Sequence, residues 1–220
     1  ITLLAGYTAL LSRLCDATDV AVGTPLGNRD RPELEPLVGY VAHAVPLRTS
    51  LAGDPSFSEL VQRVKQTVAS AYAHPDLPYE HLAPPPRPGG RCRLFDAVFV
   101  LHSGISVEQE LPGMTWRLWQ VPDLPAQFGA TLSNLSLMLG EEPDTFAGSL
   151  EYATELFDRV TALRIMGQFG GLMQDAMHQP ESRISELRIG EDPPSPRPES
   201  GPAYERIRTW LGTPYDRLAR

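Results

Sequence analysis

Three stretches of helical apolar period alternate along this chain with short runs of strand period, and that interleaving limits the fold to helices packed on a sheet. Residues 2–14 place Leu3, Leu4, Tyr7, Leu10, Leu11 and Leu14 at helical spacing, a mostly apolar face that has to be buried. Ser56-Phe57-Ser58-Glu59 has the form of a capping box, and Phe57, Leu60, Val61, Val64, Val68 and Tyr72 then make one stripe of a second helix ending before Pro75. A third helix is expected over 159–178, with its face on Val160, Leu163, Met166, Phe169, Leu172, Met173 and Met177 and a kink at Gly170-Gly171. Strands are expected at 19–23, 40–48, 94–102, 115–121, 130–139 and 145–152, with residues 24–37 a structured loop by their three prolines. The pattern predicts an α/β sandwich, one mixed sheet with packed helices.

Composition narrows the function. An apolar content of 42% over 220 residues supports a sizeable core. Nineteen basic against 27 acidic residues give a net charge of −8, with no long block of one sign, which argues against nucleic acid as a partner. No apolar run reaches the roughly 18 residues of a membrane-spanning segment, so no membrane partner is expected. Cys15 and Cys92 lie far apart and form no zinc or redox spacing, which fits reduced thiols and a cytoplasmic setting. Ile1 enters the first helical pattern directly, without a basic leader, and reads as a cut end. Five prolines crowd residues 193–202, marking 190–203 as a linker.

Several segments, taken in order, carry a family resemblance. Val22-Gly23-Thr24-Pro25-Leu26-Gly27-Asn28-Arg29 is a Gly-Thr-Pro loop ending in arginine, and Val38-Gly39-Tyr40-Val41-Ala42-His43-Ala44-Val45-Pro46-Leu47-Arg48 follows it. His74-Pro75-Asp76-Leu77-Pro78-Tyr79-Glu80 comes next, then Arg87 and Arg91 framing a glycine pair, and finally Leu150-Glu151-Tyr152 before Leu156-Phe157. In this order they resemble the motifs of the condensation domains of nonribosomal peptide synthetases. Departures occur at Val41, Ala42 and His43, where the family has Phe, Val and Asn, and at Pro75 and Tyr79, where it has Gln and Phe.

The resemblance implies a chloramphenicol-acetyltransferase-like lobe over residues 1–189, the C-terminal one of two. Residues 190–220 would be a proline-rich linker and docking segment toward an adenylation domain. The family's catalytic His-His-x-x-x-Asp-Gly is absent from this sequence, so no catalytic residue is assigned here and the chain alone is expected to be inactive. Partners implied are the N-terminal lobe of the same domain, donor and acceptor peptidyl carrier proteins, and the adenylation domain. No cofactor is expected on the lobe, since the substrates arrive on phosphopantetheine arms. A non-catalytic recruitment domain, or an epimerisation or heterocyclisation relative, remains an alternative.

By that resemblance His43, Arg48 and Arg29 line the reaction tunnel or position substrate. His43 is equally readable as a hydrogen-bonded core histidine, and Arg29 as the partner of a carboxylate within the fold rather than of a carrier's phosphopantetheine phosphate. Gly39, Asp76, Pro78, Tyr79, Glu80, Arg87 and Arg91 are motif residues with structural roles. A metal site on His74, Asp76, Glu80 and His81 is rejected, because Pro78 breaks any helix that would align them.

Overall fold

The computed structural model describes residues 1–29, 31–74, 94–102, 108–117, 133–142, 145–190 and 204–211. Its contacts divide the chain into two compact units. The first is built on Ile1–Phe99 and Gly167–Asp192; the second is built on Val100–Met166 and Pro193–Arg220.

In the first unit, helix α1 (Thr2–Cys15) buries Leu3, Leu4, Tyr7, Leu10 and Leu11 as its spacing requires, while Leu14 stays 40% exposed. Asp16 closes it in the left-handed region at φ 49°, which a short polar side chain tolerates. Strand β1 (Asp19–Leu26) runs antiparallel to β2 (His43–Ser50) in unbroken register from Asp19↔Ser50 to Leu26↔His43. On its other side β1 pairs parallel with β3 (Ala97–His102) at Val22↔Ala97 and Gly23↔Val98, so the sheet is mixed. Gly23 is required there: a Cβ on it would lie 2.3 Å from the Phe95 ring.

Helix α2 (Phe57–Tyr72) starts on the expected capping box, Ser56 Oγ accepting from the Glu59 amide and Glu59 Oε2 from the Ser56 amide. It packs on β2 and on α1 through Phe57, Leu60 and Val64, and Tyr72 ends the stripe half exposed. Helix α3 (Arg159–His178) has the expected bounds, but its buried face is Ala162, Ile165, Met166, Phe169, Leu172, Met173 and Ala176. Four of the seven expected positions, Met166, Phe169, Leu172 and Met173, are on it, and Ala162, Ile165 and Ala176 stand in place of Val160, Leu163 and Met177. Gly171 serves contact: a Cβ on it would lie 2.5 Å from the Gly190 backbone.

In the second unit β4 (Glu108–Leu111) and β5 (Met114–Arg117) form a hairpin turning at Pro112-Gly113, with Gly113 at φ 78°. Strand β6 (Leu135–Glu142) pairs antiparallel with β7 (Thr145–Ala153), burying Leu135, Leu137, Leu139, Phe146, Leu150 and Tyr152. Strand β8 (Tyr204–Leu211) then adds to the other edge of β7, from Ala153↔Tyr204 to Phe146↔Leu211. The segment expected to dock a following domain is thus paired with a strand of this same chain.

Three boundaries differ from the sequence reading for one reason. Strand β1 continues through Thr24, Pro25 and Leu26 because β2 supplies a partner for each, although proline and glycine chemistry favoured a loop from Thr24. Strand β2 correspondingly begins at His43 and leaves Tyr40, Val41 and Ala42 in the loop. Strand β6 starts at Leu135, five residues after the expected Ala130. The motif residues Asp76, Pro78, Tyr79, Glu80, Arg87 and Arg91 lie outside the described residues, as does most of the linker.

Candidate functional site

The end of the β1–β2 pair gathers two of the three residues assigned to substrate. Leu26 and His43 are the last register pair, and the loop joining them carries Asn28 in the left-handed region at φ 48°, then Arg29 and a 3-10 turn at Pro32–Leu34. His43 is half buried. Its Nε2 is itself buried and meets no hydrogen-bond partner among the described residues. Stranding a buried polar atom is destabilising.

Arg29 points back into the loop. Its Nη1 donates to the carbonyls of Leu34 at 2.7 Å and Leu37 at 2.8 Å, and its Nη2 to the carbonyl of Gly39 at 2.8 Å. The intramolecular alternative is the one realised, with backbone carbonyls as partners in place of a carboxylate. Gly39 accepts one of these bonds but has no positive φ, and a Cβ on it would meet nothing within 4 Å. Among the described residues nothing therefore gives it a steric role.

Arg48 stands apart from the other two. It lies five residues along β2 from His43, so strand alternation turns the two side chains to opposite faces. Its Nε contacts Asp19 Oδ1 at 3.0 Å and Oδ2 at 2.9 Å, and Nη2 also reaches Oδ2, a forked pair at the exposed strand end. Hydrogen bonds from Arg48 hold the Asp19 carboxyl below its ordinary range, against a small opposing effect of burial. Within the described residues the planar fork of Arg48 is engaged by Asp19. Sequence reasoning missed Asp19, and the signal was its place near Arg48 across the ladder, legible only once β1 and β2 are paired.

Among the described residues no three His, Cys, Asp or Glu side chains cluster so as to hold a metal ion. No helix there is long and apolar enough to cross a membrane. The arrangement offers one bare imidazole nitrogen beside a stapled loop, and no acid, base or nucleophile pair among the described residues that would complete a reaction centre.

Helices packed on a mixed sheet around such a strand pair define a lobe of the chloramphenicol-acetyltransferase-like sandwich. The model of the condensation domain matches residues 2–193, and the chain belongs to the condensation-domain family, with the fold of its C-terminal lobe. It is 38% identical over 202 residues to a probable non-canonical nonribosomal peptide synthetase, CymA, of Salinispora arenicola, covering 90% of this chain and 2% of that protein. It is 37% identical over 192 residues to malpinin synthetase of Mortierella alpina, covering 86% of this chain and 2% of that one. The chain therefore spans only a few per cent of these synthetases.

Among solved structures, the X-domain from teicoplanin biosynthesis superposes with a TM-score of 0.70 at 30% identity, covering 86% of this chain and 43% of that one. A four-domain nonribosomal peptide synthetase bound to AMP and glycine gives 0.71 at 19% identity, covering 87% and 16%. The latter speaks to the fold alone.

Proposed function

We propose that the chain is the C-terminal lobe of a nonribosomal peptide synthetase condensation domain and supplies one wall of the channel in which an amide bond is made. The observation that carries this reading is the family match over residues 2–193. In the proposed reaction the neutral amine of a carrier-bound aminoacyl group attacks the carbonyl of a donor thioester. The carbon–nitrogen bond forms, the carbon–sulfur bond breaks, and the phosphopantetheine thiol leaves with the proton that the amine gives up. Holding amine and thioester in near-attack geometry and supporting the oxyanion are the physical requirements.

This lobe's own contribution is positioning. His43 is the residue best suited to it, since its buried Nε2 can meet a group that the described residues do not provide. The histidine motif of the family would come from an N-terminal lobe, the substrates from donor and acceptor carrier proteins, and an adenylation domain would follow in a cytoplasmic synthetase.

The test is made in a complete domain containing this lobe, with donor and acceptor carriers loaded and the dipeptidyl product measured. His43→Asn should retain condensation, whereas His43→Ala should lower turnover by the equivalent of about 1–3 kcal/mol. Unchanged turnover in a folded His43→Ala domain contradicts the role given to His43.

A second reading is recruitment. The X-domain of teicoplanin biosynthesis, solved in complex with OxyB, is 30% identical to this chain, against 19% for the four-domain synthetase. A complete domain that holds a partner protein tightly but makes no product from loaded carriers would favour it.

A further inference from the structure

The loop between β1 and β2 lacks the usual means of staying ordered. Glu35, Pro36, Leu37, Val38, Gly39 and Tyr40 are all exposed, Val38 at 99% and Tyr40 at 84%. Apolar burial therefore contributes little there to offset the loss of chain entropy. Its own backbone bonds among the described residues are Leu34 N–H to Arg31 O, Glu35 N–H to Pro32 O and Leu37 N–H to Leu34 O, and none of these reaches beyond Leu37. The Arg29 guanidinium does reach across the segment, gripping the carbonyls of Leu34, Leu37 and Gly39. The grip ends four residues before His43, whose Nε2 is buried and bare.

We infer that Arg29 is a positioning residue: it staples residues 34–39 through their carbonyls and thereby sets the path of the chain into His43, rather than binding a substrate phosphate. This rests on the reading of the lobe as part of a condensation domain only where turnover is concerned; the staple itself does not depend on it. A planar guanidinium can serve three carbonyls at fixed angles, and an ammonium cannot. A phosphate, by contrast, accepts a lysine as a point charge. Arg29→Lys therefore separates the two roles, with Arg29→Ala as the full deletion.

Amide hydrogen exchange on the 220-residue chain reads the staple directly. In both variants the amides of Leu34, Glu35 and Leu37 should exchange about tenfold faster or more, with those of α1, α2 and the β1–β2 ladder unchanged. In a complete domain both variants should lower kcat, by about tenfold, and leave the KM for the loaded acceptor carrier near its original value. Unchanged exchange in Arg29→Ala overturns the inference. So does a lysine variant that matches the parent in exchange while only the alanine variant raises KM, the pattern of a phosphate contact. Absence of product in the parent domain would instead count against the proposed function, and the exchange result would still decide the staple.

Discussion

Asp54 and Ser185, far apart in sequence, are joined twice: the Ser185 amide donates to Asp54 Oδ1 at 3.0 Å and its hydroxyl to Oδ2 at 2.6 Å. Arg183 adds bonds to the carbonyls of Gly53 and Asp54, and the Ile184 amide to that of Pro55. The segment after α3 is thereby clipped to the turn that starts α2. The hydrogen bond from the Ser185 hydroxyl holds the Asp54 carboxyl below its ordinary range. A depressed carboxyl contributes stability that is present above its unfolded value, about 3.9, and is lost as pH falls through the lower folded value. Asp54→Asn should cost about 1 kcal/mol at pH 7, a modest figure because the pair is exposed. The variant should also lose less stability than the parent between pH 5 and about pH 3. Urea titrations across that range check it, and parallel acid limbs for both proteins would contradict it.

Tyr7 is fully buried, its ring 6.1 Å from that of Phe99 and 6.3 Å from that of Phe169, the latter edge-on. Its hydroxyl has no hydrogen-bond partner among the described residues. Burial, with a smaller effect of Cys15, raises its pKa well above the usual tyrosine range. A buried hydroxyl without a partner is destabilising, so Tyr7→Phe should raise stability by about 1 kcal/mol. Thermal denaturation measures this, and a loss of stability would reveal a partner for that oxygen.

Gly23 faces the other constraint, that of space. The nearest Phe95 ring atom would be 2.3 Å from a new Cβ, and Phe95 is only 4% exposed. Gly23→Ala should therefore cost about 1–3 kcal/mol by overpacking. Gly23→Ala combined with Phe95→Leu should recover part of that loss, and a fully additive double variant would contradict the contact.

Deleting residues 204–220 uncovers the edge of β7. Amides of Thr145–Ala153 that bond to β8 should then exchange faster, while those bonded to β6 keep their protection. Unchanged exchange along the whole of β7 would show that β8 does not pair there in solution.

The helices were legible because each carries a long apolar period, and α2 also advertised its start through Ser56 and Glu59. The ends of β1 and β6 were not, because pairing sets where a strand stops and no residue inside it records its partner. Strand β8 was hidden for a further reason: the apolar residues from Tyr204 onward read as a segment docking another domain, and none of them records β7 as its partner. At the site, the sequence singled out His43, Arg29 and Arg48 as three groups facing substrate. The fold turns Arg29 onto carbonyls five to ten residues on in its own loop and Arg48 onto Asp19, and only the latter partner is set by strand pairing. Among the described residues, His43 alone of the three has a buried side-chain nitrogen with no hydrogen-bond partner.

The central claim is that this chain is one wall of a two-lobed condensation centre. Its most direct test is dipeptide formation from loaded donor and acceptor carriers, measured with the chain alone and with the chain joined to an N-terminal lobe bearing the His-His-x-x-x-Asp-Gly motif. Product is expected only when both lobes are present. Product above background from the chain alone, or none from the joined and folded pair, would contradict the account.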